Sequence, residues 1–312
     1  MRESSNSPSY PVTAGTPELR AAITNWAKNK LRATGEFDVL PLIGSKELVA
    51  WLPTLLQAKS VNFPEIAYPT YRVGAILAGA TETAVAIAPQ HWPLADLTWV
   101  NSPANPTGRV HSDDEYRAAI QWARTNNKIL VSDECYLEFG DSAKPTSILQ
   151  YAEGDNRNIL AVHSLSKRSS MAGYRGAFLI GDKDLISQIR EVRKHTGMMV
   201  PLPIQKAMTV ALEDEAHVAE QRARYNARRA KLAPALLAAG FQIEYSNAGL
   251  YIWCTRNESD WDSVAWLANL GILTTPGNFY GPLGSSHIRI AMTATDLQIS
   301  DAAERITAAI KG

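Results

Sequence analysis

A lysine followed by serines and an arginine stands directly after one of the apolar runs of this sequence. The segment at residues 163–178, HSLSKRSSMAGYRGAF, places Lys167 just past the run and Arg175 eight residues later. A lysine amine in a partly dry pocket near another cation can lose its proton and form a Schiff base with a carbonyl group. A surface lysine in a serine-rich loop accounts for SxSK equally well, so this motif alone leaves both interpretations open.

A carboxylate with a nearby phenol ends another apolar run. Within ILVSDECYLEF, at residues 129–139, Asp133 follows the run and Tyr136 comes three residues later. An acid in that place can hold the nitrogen of a pyridine ring protonated, and a phenol can hydrogen-bond the ring oxygen. Taken alone, Asp133 is equally typical of a helix cap or an ordinary loop acid.

Two further turns add an amide and an anion site. NSPANPTG, at residues 101–108, is a strong turn signal that would present the Asn105 side chain into a cleft. In LIGSKEL, at residues 42–48, a strand is followed by Gly44 and Ser45 and then a helix. Free amides at a helix start suit a phosphate, but the segment lacks the GxxxxGK[ST] pattern, and many strand-to-helix turns look similar.

Jointly, the four segments carry a stronger meaning than each does alone. They follow one another along the chain at the ends of predicted strands. Together they supply a Schiff-base lysine, a ring-nitrogen acid, partners for a ring oxygen and a phosphate cradle. These are the parts that pyridoxal 5′-phosphate requires, so we expect this cofactor and no metal.

The elements that must position these residues alternate between strands and helices. Helices are predicted at residues 46–56 and 112–126, the second with a Ser112 cap and acids in its first turn. The predicted strands are residues 39–43, 61–67, 83–88, 97–101, 128–132, 158–163 and 176–180. This alternation predicts an α/β fold, with a mostly parallel sheet covered by helices on both faces and a ligand site at the carboxyl ends of the strands.

The pattern changes after residue 181. Helices are expected at residues 184–195, 203–239, 261–270 and 297–310, and strands at 241–245, 250–255 and 287–292. We therefore predict a large cofactor-binding domain over residues 1–203 and a smaller C-terminal α+β domain over residues 204–312.

Composition narrows the class of protein. The chain has 312 residues, 46% of them hydrophobic, and its 31 basic residues balance 31 acidic ones, so nothing favours nucleic acid or an anionic membrane as a partner. The chain has two cysteines, Cys135 and Cys254, far apart and without a metal-ligand spacing, so neither a disulfide framework nor a structural zinc site is expected. A reducing cytoplasm fits this cysteine usage best. Residues 1–11 are polar, unlike a signal peptide, and polar residues interrupt the apolar stretch at 73–88.

With these motifs the chain resembles a class I/II, fold-type I pyridoxal-phosphate aminotransferase over essentially its whole length. The resemblance implies that Lys167 is the Schiff-base lysine and Asp133 the partner of the pyridine nitrogen. It implies that Asn105 and Tyr136 contact the ring hydroxyl. The residues that would hold the phosphate are Gly44, Ser45, Lys46, Ser164 and Arg175.

The resemblance extends to three residues outside those segments. Tyr68 in AYPTY would stack on the cofactor ring, and Arg289 in HIRIAM, with Asn105, would bind the substrate α-carboxylate. Tyr10 in SYPVTAGTPELR would reach the cofactor phosphate of a neighbouring subunit, which implies a homodimer with shared active sites. The alternative interpretations are a core aromatic for Tyr68, a surface arginine on an edge strand for Arg289 and a disordered N-terminal residue for Tyr10.

Within the family, four segments most resemble actinobacterial N-succinyldiaminopimelate aminotransferases: YPVTAGTPELRAAI, SLSKRSSMAGYRGAF, RKHTGMMVP and PGNFYGPLGSSHIRIAMTAT. The resemblance implies glutamate as amino donor and N-succinyl-2-amino-6-oxopimelate as acceptor, in diaminopimelate and lysine synthesis. Another transaminase, a carbon–sulfur β-lyase and a non-catalytic effector module remain alternatives. A complete catalytic set without a basic stripe disfavours the last.

One departure concerns the start of the chain. Family members usually carry several dozen residues ahead of SYPVTAGTPELR, including a Gly-containing stretch that lines the substrate pocket and an arm that crosses the dimer. We expect the recorded start to lie inside a longer reading frame. The alternative is a chain that lacks part of the substrate pocket.

Overall fold

Seven strands form the first sheet of the computed structural model, which describes residues 6–311. In chain order they are β1 (Asp38–Ile43), β2 (Ser60–Pro64), β3 (Thr81–Val85), β4 (Leu97–Asn101), β5 (Ile129–Asp133), β6 (Ile159–Ser164) and β7 (Gly176–Gly181). Residues 1–5 and 312, at the outer ends of the two predicted domains, lie outside the described residues.

The strand directions bring the ends of six strands to one edge. The order is β1-β7-β6-β5-β4-β2-β3, and β7 alone runs antiparallel to its neighbours β1 and β6. The carboxyl ends of the other six strands therefore share an edge with the start of β7. In this register Asn101 lies opposite Asp133, and Asp133 opposite Val162.

Eleven helices belong to the part of the chain that the structure describes. They are α1 (Pro17–Lys30), α2 (Ser45–Leu55), α3 (Thr70–Leu77), α4 (Asp113–Asn126), α5 (Ile148–Tyr151), α6 (Leu165–Arg168), α7 (Lys183–His195), α8 (Leu202–Glu213), α9 (Ala216–Ala238), α10 (Asp260–Asn269) and α11 (Asp296–Lys311). Within the described range, no helix is both long and apolar enough to cross a lipid bilayer.

Helices cover both faces of the first sheet. One apolar cluster joins α1, α4 and α8 to the sheet and includes Trp26, Ile120 and Met208. The other joins α2, α3 and α7 and includes Leu52 and Ile189. Burial on both sides is the usual environment of a largely parallel sheet, and the predicted α/β architecture is confirmed.

A second, antiparallel sheet has its own core. It consists of β8 (Gln242–Ile243), β9 (Tyr251–Thr255), β10 (Thr275–Pro276) and β11 (His287–Ala291), in the order β10-β11-β9-β8. Leu236, Leu267 and Ile306, from α9, α10 and α11, pack with strand residues in a third apolar cluster. This antiparallel sheet with its three helices corresponds to the smaller α+β unit predicted from the sequence.

The single helix predicted at residues 203–239 is wrong. The backbone of Asp214 is extended (φ −99°, ψ 114°), and its carboxylate accepts the Ala216 N–H at 2.8 Å, which ends α8 and starts α9. Met208 of α8 packs with the first sheet, whereas Leu232 of α9 packs with the second. The exact division into two domains stays a prediction.

Candidate active site

One cavity of about 260 Å³ lies at the shared edge of the first sheet. Ten of the twelve predicted site residues line it: Ser45, Lys46, Tyr68, Asn105, Asp133, Tyr136, Ser164, Lys167, Arg175 and Arg289. Five residues that were not predicted also line it: Asn101, Cys135, Ser166, Ala172 and Tyr251.

The turn that carries Lys167 is tied down on both sides. Ser164 ends β6, and its hydroxyl accepts the Ser166 N–H at 3.1 Å, which caps the short helix α6. The neighbouring Arg168 is buried and donates to the Ala211 carbonyl at 2.6 Å and to Glu215 at 2.8 Å. Lys167 therefore projects from a short helix fixed to the junction between α8 and α9.

Asp133 presents a buried carboxylate to the cavity. Tyr71 donates its hydroxyl to Oδ2 at 2.8 Å, and the Cys135 backbone N–H donates to Oδ1 at 3.2 Å. Burial raises the pKa of Asp133, whereas hydrogen bonds from Cys135 and Tyr71 and the nearby His163 act in the opposite direction. Since both described donors are neutral, a cationic N–H in the cavity would stabilise the charged form of this acid.

Asn101 holds the loop that positions Asn105. Its amide nitrogen donates to the Asp133 carbonyl at 2.8 Å, and its Oδ1 accepts the Asn105 N–H at 2.8 Å. The Asn105 Oδ1 in turn accepts a hydrogen bond from Nη1 of Arg289 at 2.9 Å. One buried side chain thus joins β4, β5 and the loop, and the loop contacts an arginine of the second sheet.

The corner formed by Gly44 and Arg175 can accept an anion. Gly44 has φ 78°, and a Cβ at this position would lie 2.1 Å from Nη2 of Arg175, so a side chain would displace the guanidinium. Helix α2 begins at Ser45 and points its free N–H groups away from the helix body. The nearby Lys46 Nζ lies 5.7 Å from the centre of the Tyr68 ring.

Arg289 and Tyr251 form the wall contributed by the second sheet. Arg289 of β11 pairs with Trp253 of β9, and Tyr251 pairs with Ala291, so the two side chains are diagonal neighbours on one face. The Arg289 guanidinium lies 4.1 Å from the centre of the Tyr251 ring. The Tyr251 hydroxyl lies 3.0 Å from that of Tyr136, which joins this wall to the first sheet.

Two predicted residues do not line the cavity. Gly44 lies next to the Arg175 guanidinium, since a Cβ built on it would come within 2.1 Å of Nη2. Tyr10 is 92% exposed, and its predicted contact with a partner's cofactor stays a prediction.

Sequence reasoning missed two residues that organise the site. Asn101 stands at the start of the same NSPANPTG turn, so its place at a strand end was a usable signal. Tyr251 is recognised only from the pairing of β9 with β11.

A family model described as aminotransferase class I and II matches residues 1–306. The chain belongs to this family. The family depends on pyridoxal 5′-phosphate, so the cofactor and fold predicted from the motifs are confirmed.

Several relatives share most of the chain. A probable aminotransferase of Mycobacterium tuberculosis is 51% identical, covering 98% of this chain and 75% of that protein. A 4-dedimethylamino-4-oxo-anhydrotetracycline transaminase of Streptomyces rimosus is 48% identical, covering 98% and 88%. An LL-diaminopimelate aminotransferase of Aquifex aeolicus is 32% identical, covering 95% and 82%. The solved structure of a Staphylococcus aureus aminotransferase has the same fold, with a TM-score of 0.88 at 24% identity, covering 99% and 88%.

The cavity fits pyridoxal phosphate in chemistry and in space. Asp133 is a buried acid that lacks a described cationic partner, as a site for a protonated pyridine nitrogen requires. Because Gly44 has no side chain, the Arg175 guanidinium can lie against the start of α2, which places a positive charge beside the free N–H groups of that helix, as a phosphate cradle requires. Lys167 lines the same cavity and carries the amine that can bind the cofactor carbonyl.

Proposed function

We propose that this chain transfers the amino group of glutamate to an oxo acid, most specifically N-succinyl-2-amino-6-oxopimelate of the diaminopimelate and lysine pathway. The observation that carries the proposal is the single cavity to which the fold brings Lys167, Asp133 and Arg289. These three groups are an amine nucleophile, a buried acid and a carboxylate receptor. Amino transfer between two amino acids requires all three.

The residues of the first sheet would hold the cofactor. Lys167 would bind it through Nζ, and Asp133 would pair with the pyridine nitrogen. Asn105 and Tyr136 would contact the ring hydroxyl, and Tyr68 would cover the ring face. The phosphate would lie against Gly44, Ser45, Lys46, Ser164 and Arg175.

Two residues would act on the substrate. When bound, pyridoxal phosphate supplies an electron sink that weakens the Cα–H bond of the attached amino acid. Arg289, oriented by Asn105, would bind the α-carboxylate with its remaining N–H groups, because a planar guanidinium can donate two parallel hydrogen bonds. Once the amino donor has replaced it, the freed Lys167 amine would take the proton from Cα as general base and deliver it, as general acid, to the cofactor carbon that carries the transferred nitrogen.

The acting form would be a homodimer in the cytoplasm. Tyr10 is almost fully exposed, as a residue that reaches into a neighbouring subunit must be in an isolated chain. Cys135 and Cys254 are both free thiols, which suits a reducing compartment. Within each subunit, we retain the predicted boundary between the large and small domains at residues 203 and 204.

Two kinds of similarity support diaminopimelate chemistry. The YPVTAGTPELRAAI and PGNFYGPLGSSHIRIAMTAT segments, among others, resemble those of N-succinyldiaminopimelate aminotransferases. The relative from Aquifex aeolicus acts on LL-diaminopimelate by its name. Both substrates carry an α-amino acid end that Arg289 would grip in the same way.

A second candidate acceptor is the ketone of a tetracycline-type polyketide. It is favoured by the Streptomyces rimosus transaminase, whose 48% identity exceeds that of the diaminopimelate relative. Such a ketone carries no α-carboxylate. Arg289 would then matter for the glutamate half of the reaction only.

A single assay separates these candidates. The protein is loaded with an amino group by glutamate, freed of glutamate, and mixed with one acceptor at a time while the visible absorption band is followed. We expect the band to return fastest with N-succinyl-2-amino-6-oxopimelate. Faster return with 4-dedimethylamino-4-oxo-anhydrotetracycline would transfer the assignment to polyketides. Release of pyruvate and ammonia from cystathionine would reveal a carbon–sulfur lyase.

A further inference from the structure

Tyr251 contacts both Tyr136, which we propose binds the cofactor, and Arg289, which we propose binds the substrate carboxylate, although no sequence motif marks it. It is 7% exposed, its hydroxyl lies 3.0 Å from that of Tyr136, and its ring faces the Arg289 guanidinium at 4.1 Å. Its backbone is anchored as well, because the buried Arg229 donates to the carbonyls of Gly249 at 2.9 Å and of Tyr251 at 3.4 Å. A side chain held in this way can transmit an effect from one neighbour to the other.

We propose that Tyr251 is a positioning residue with two separable parts. Its hydroxyl donates to Tyr136 and so strengthens the hydrogen bond that Tyr136 gives to the cofactor ring oxygen. Its ring supports the Arg289 guanidinium in the orientation that binds the substrate carboxylate. This inference rests on the proposed function and names a residue that the motifs do not supply.

The direction of the hydrogen bond follows from what Tyr136 must do. A phenol has one hydrogen to donate and two lone pairs with which to accept. If Tyr136 gives its hydrogen to the ring oxygen, its own oxygen is left to accept from Tyr251. The positive charge of Arg289 over the Tyr251 ring makes that hydroxyl a better donor, and hydrogen bonds in such chains polarise and strengthen one another.

The two parts affect different measurements. A donor to the ring oxygen stabilises the negative charge left there after the proton shared with the lysine nitrogen departs. The hydroxyl of Tyr251 should therefore lower the pH at which the visible band of the loaded protein changes. The ring should have no effect on that midpoint. It should affect the affinity for a carboxylate, because its aromatic face attracts the Arg289 guanidinium and so holds it in place.

Several titratable or charged groups also face the two tyrosines, namely Asp133, Cys135, Lys167, Tyr225, Tyr280 and Arg289. Tyr251→Phe leaves all of them in place and removes one hydroxyl. A shift in the midpoint can then be attributed to that hydroxyl. The matched control is Tyr245→Phe, which removes the hydroxyl of a 52% exposed tyrosine that does not line the cavity.

The first arm of the test is a pH titration of the visible band in the pyridoxal-phosphate-loaded protein. For Tyr251→Phe we expect the midpoint to rise by about 0.5 to 1 pH unit, the size of one lost hydrogen bond. Tyr245→Phe should keep the midpoint of the unmodified protein. An unchanged midpoint in Tyr251→Phe, with the band intact, would overturn the hydroxyl part of the proposal.

The second arm measures the dissociation constant of glutarate, a dicarboxylate without an amino group, from the change it causes in the same band. Tyr251→Phe retains the ring and should bind glutarate as the unmodified protein does. Tyr251→Leu should bind it about three- to tenfold more weakly. Equal affinity in all three proteins would overturn the ring part.

The proposed function fails separately from this inference. If the unmodified protein shows no visible band, or Lys167→Ala shows the same band, the cofactor assignment is wrong and Tyr251 loses its role with it. If the band is present and depends on Lys167, the Tyr251 variants decide the inference alone.

Discussion

The first and second sheets build opposite walls of the cavity in different ways. Lys167, Asp133 and Asn105 stand in or just before the turns that follow parallel strands, where side-chain-to-backbone hydrogen bonds fix each turn. Arg289 and Tyr251 stand within antiparallel strands, where only their pairing brings them together. The positions of the side chains in the first wall thus depend on local hydrogen bonds at strand ends. Those in the second wall depend on the register in which β9 and β11 pair.

This difference matches a division of labour. A cofactor that stays bound through every cycle needs a rigid cradle, which strand-end turns provide. A substrate carboxylate comes and goes, and the receptor we propose for it, Arg289, is supported by the Tyr251 ring and by one hydrogen bond from its Nη1 to Asn105. Changes in the first wall should therefore abolish the chemistry, and changes in the second should mainly alter substrate affinity.

Lys167→Ala should have the largest effect, because it removes the amine that we propose both binds the cofactor and acts as general base. We expect the visible band to disappear and turnover with glutamate to fall by about 10⁴-fold or more. Stopped-flow absorbance measures both quantities. Lys144→Ala, at an exposed position, is the matched control, and near-normal turnover in Lys167→Ala would contradict the account.

Asp133→Asn should come next. The amide keeps the shape of the side chain and can still accept from Tyr71, but it removes the charge that would hold the ring nitrogen protonated. We expect kcat to fall by roughly 10² to 10³-fold while the band remains. A kcat within twofold of the unmodified protein would show that this wall does not work through the buried charge.

Arg289→Lys should have a smaller and different effect. Lysine keeps the positive charge but loses the planar fork, so the KM for glutamate should rise by roughly 10- to 100-fold with the band unchanged. Steady-state kinetics with glutamate separate KM from kcat. A loss of kcat at unchanged KM would group Arg289 with the residues of the first wall, and the proposed difference between the two walls would then be wrong.

The stability of the protein should fall in acid because of a histidine, His111, close to the loop that carries Asn105. His111 donates its backbone N–H to Ser102 beside the Asn105 loop, and burial, followed by the charge of Arg109, lowers the pKa of its ring to about 4. Below pH 6.5 His111 is protonated in the unfolded chain, but in the folded chain it stays neutral until the pH falls to about 4. The free energy of unfolding should therefore fall as pH drops through this window.

Urea unfolding at pH 7 and pH 4.5 measures that loss. His111→Phe, which keeps an aromatic ring beside Tyr116, should remove about 2 to 3 kcal/mol of the decrease. His91→Phe, at an exposed position, should keep it in full. An equal decrease in the free energy of unfolding between pH 7 and pH 4.5 in all three proteins would mean that His111 does not cause the acid sensitivity.

The same local-versus-register difference explains what could be predicted from the sequence. Each strand of the first sheet was found within a few residues, since apolar runs bounded by turn residues are local signals. Helix α1 was missed although its signals are local: Thr16 caps it, Pro17 follows, and its buried apolar residues recur at helical spacing. The break at Asp214 was missed because either side continues a helical pattern.

The candidate site divides in the same way. Asp133 and Lys167 were recognisable because one ends a strand and the other lies three residues after a strand end. Tyr251 carries no such mark. Its contact with Tyr136 spans 115 residues of sequence and depends on how β9 approaches the first sheet.

The central claim is that this cavity binds pyridoxal phosphate on Lys167 and accepts an amino group from glutamate. The most direct measurement is the absorption spectrum of the purified chain with pyridoxal phosphate, before and after addition of glutamate. We expect a visible band that glutamate bleaches and that Lys167→Ala lacks. A band that glutamate leaves unchanged, or no band at all, would contradict it.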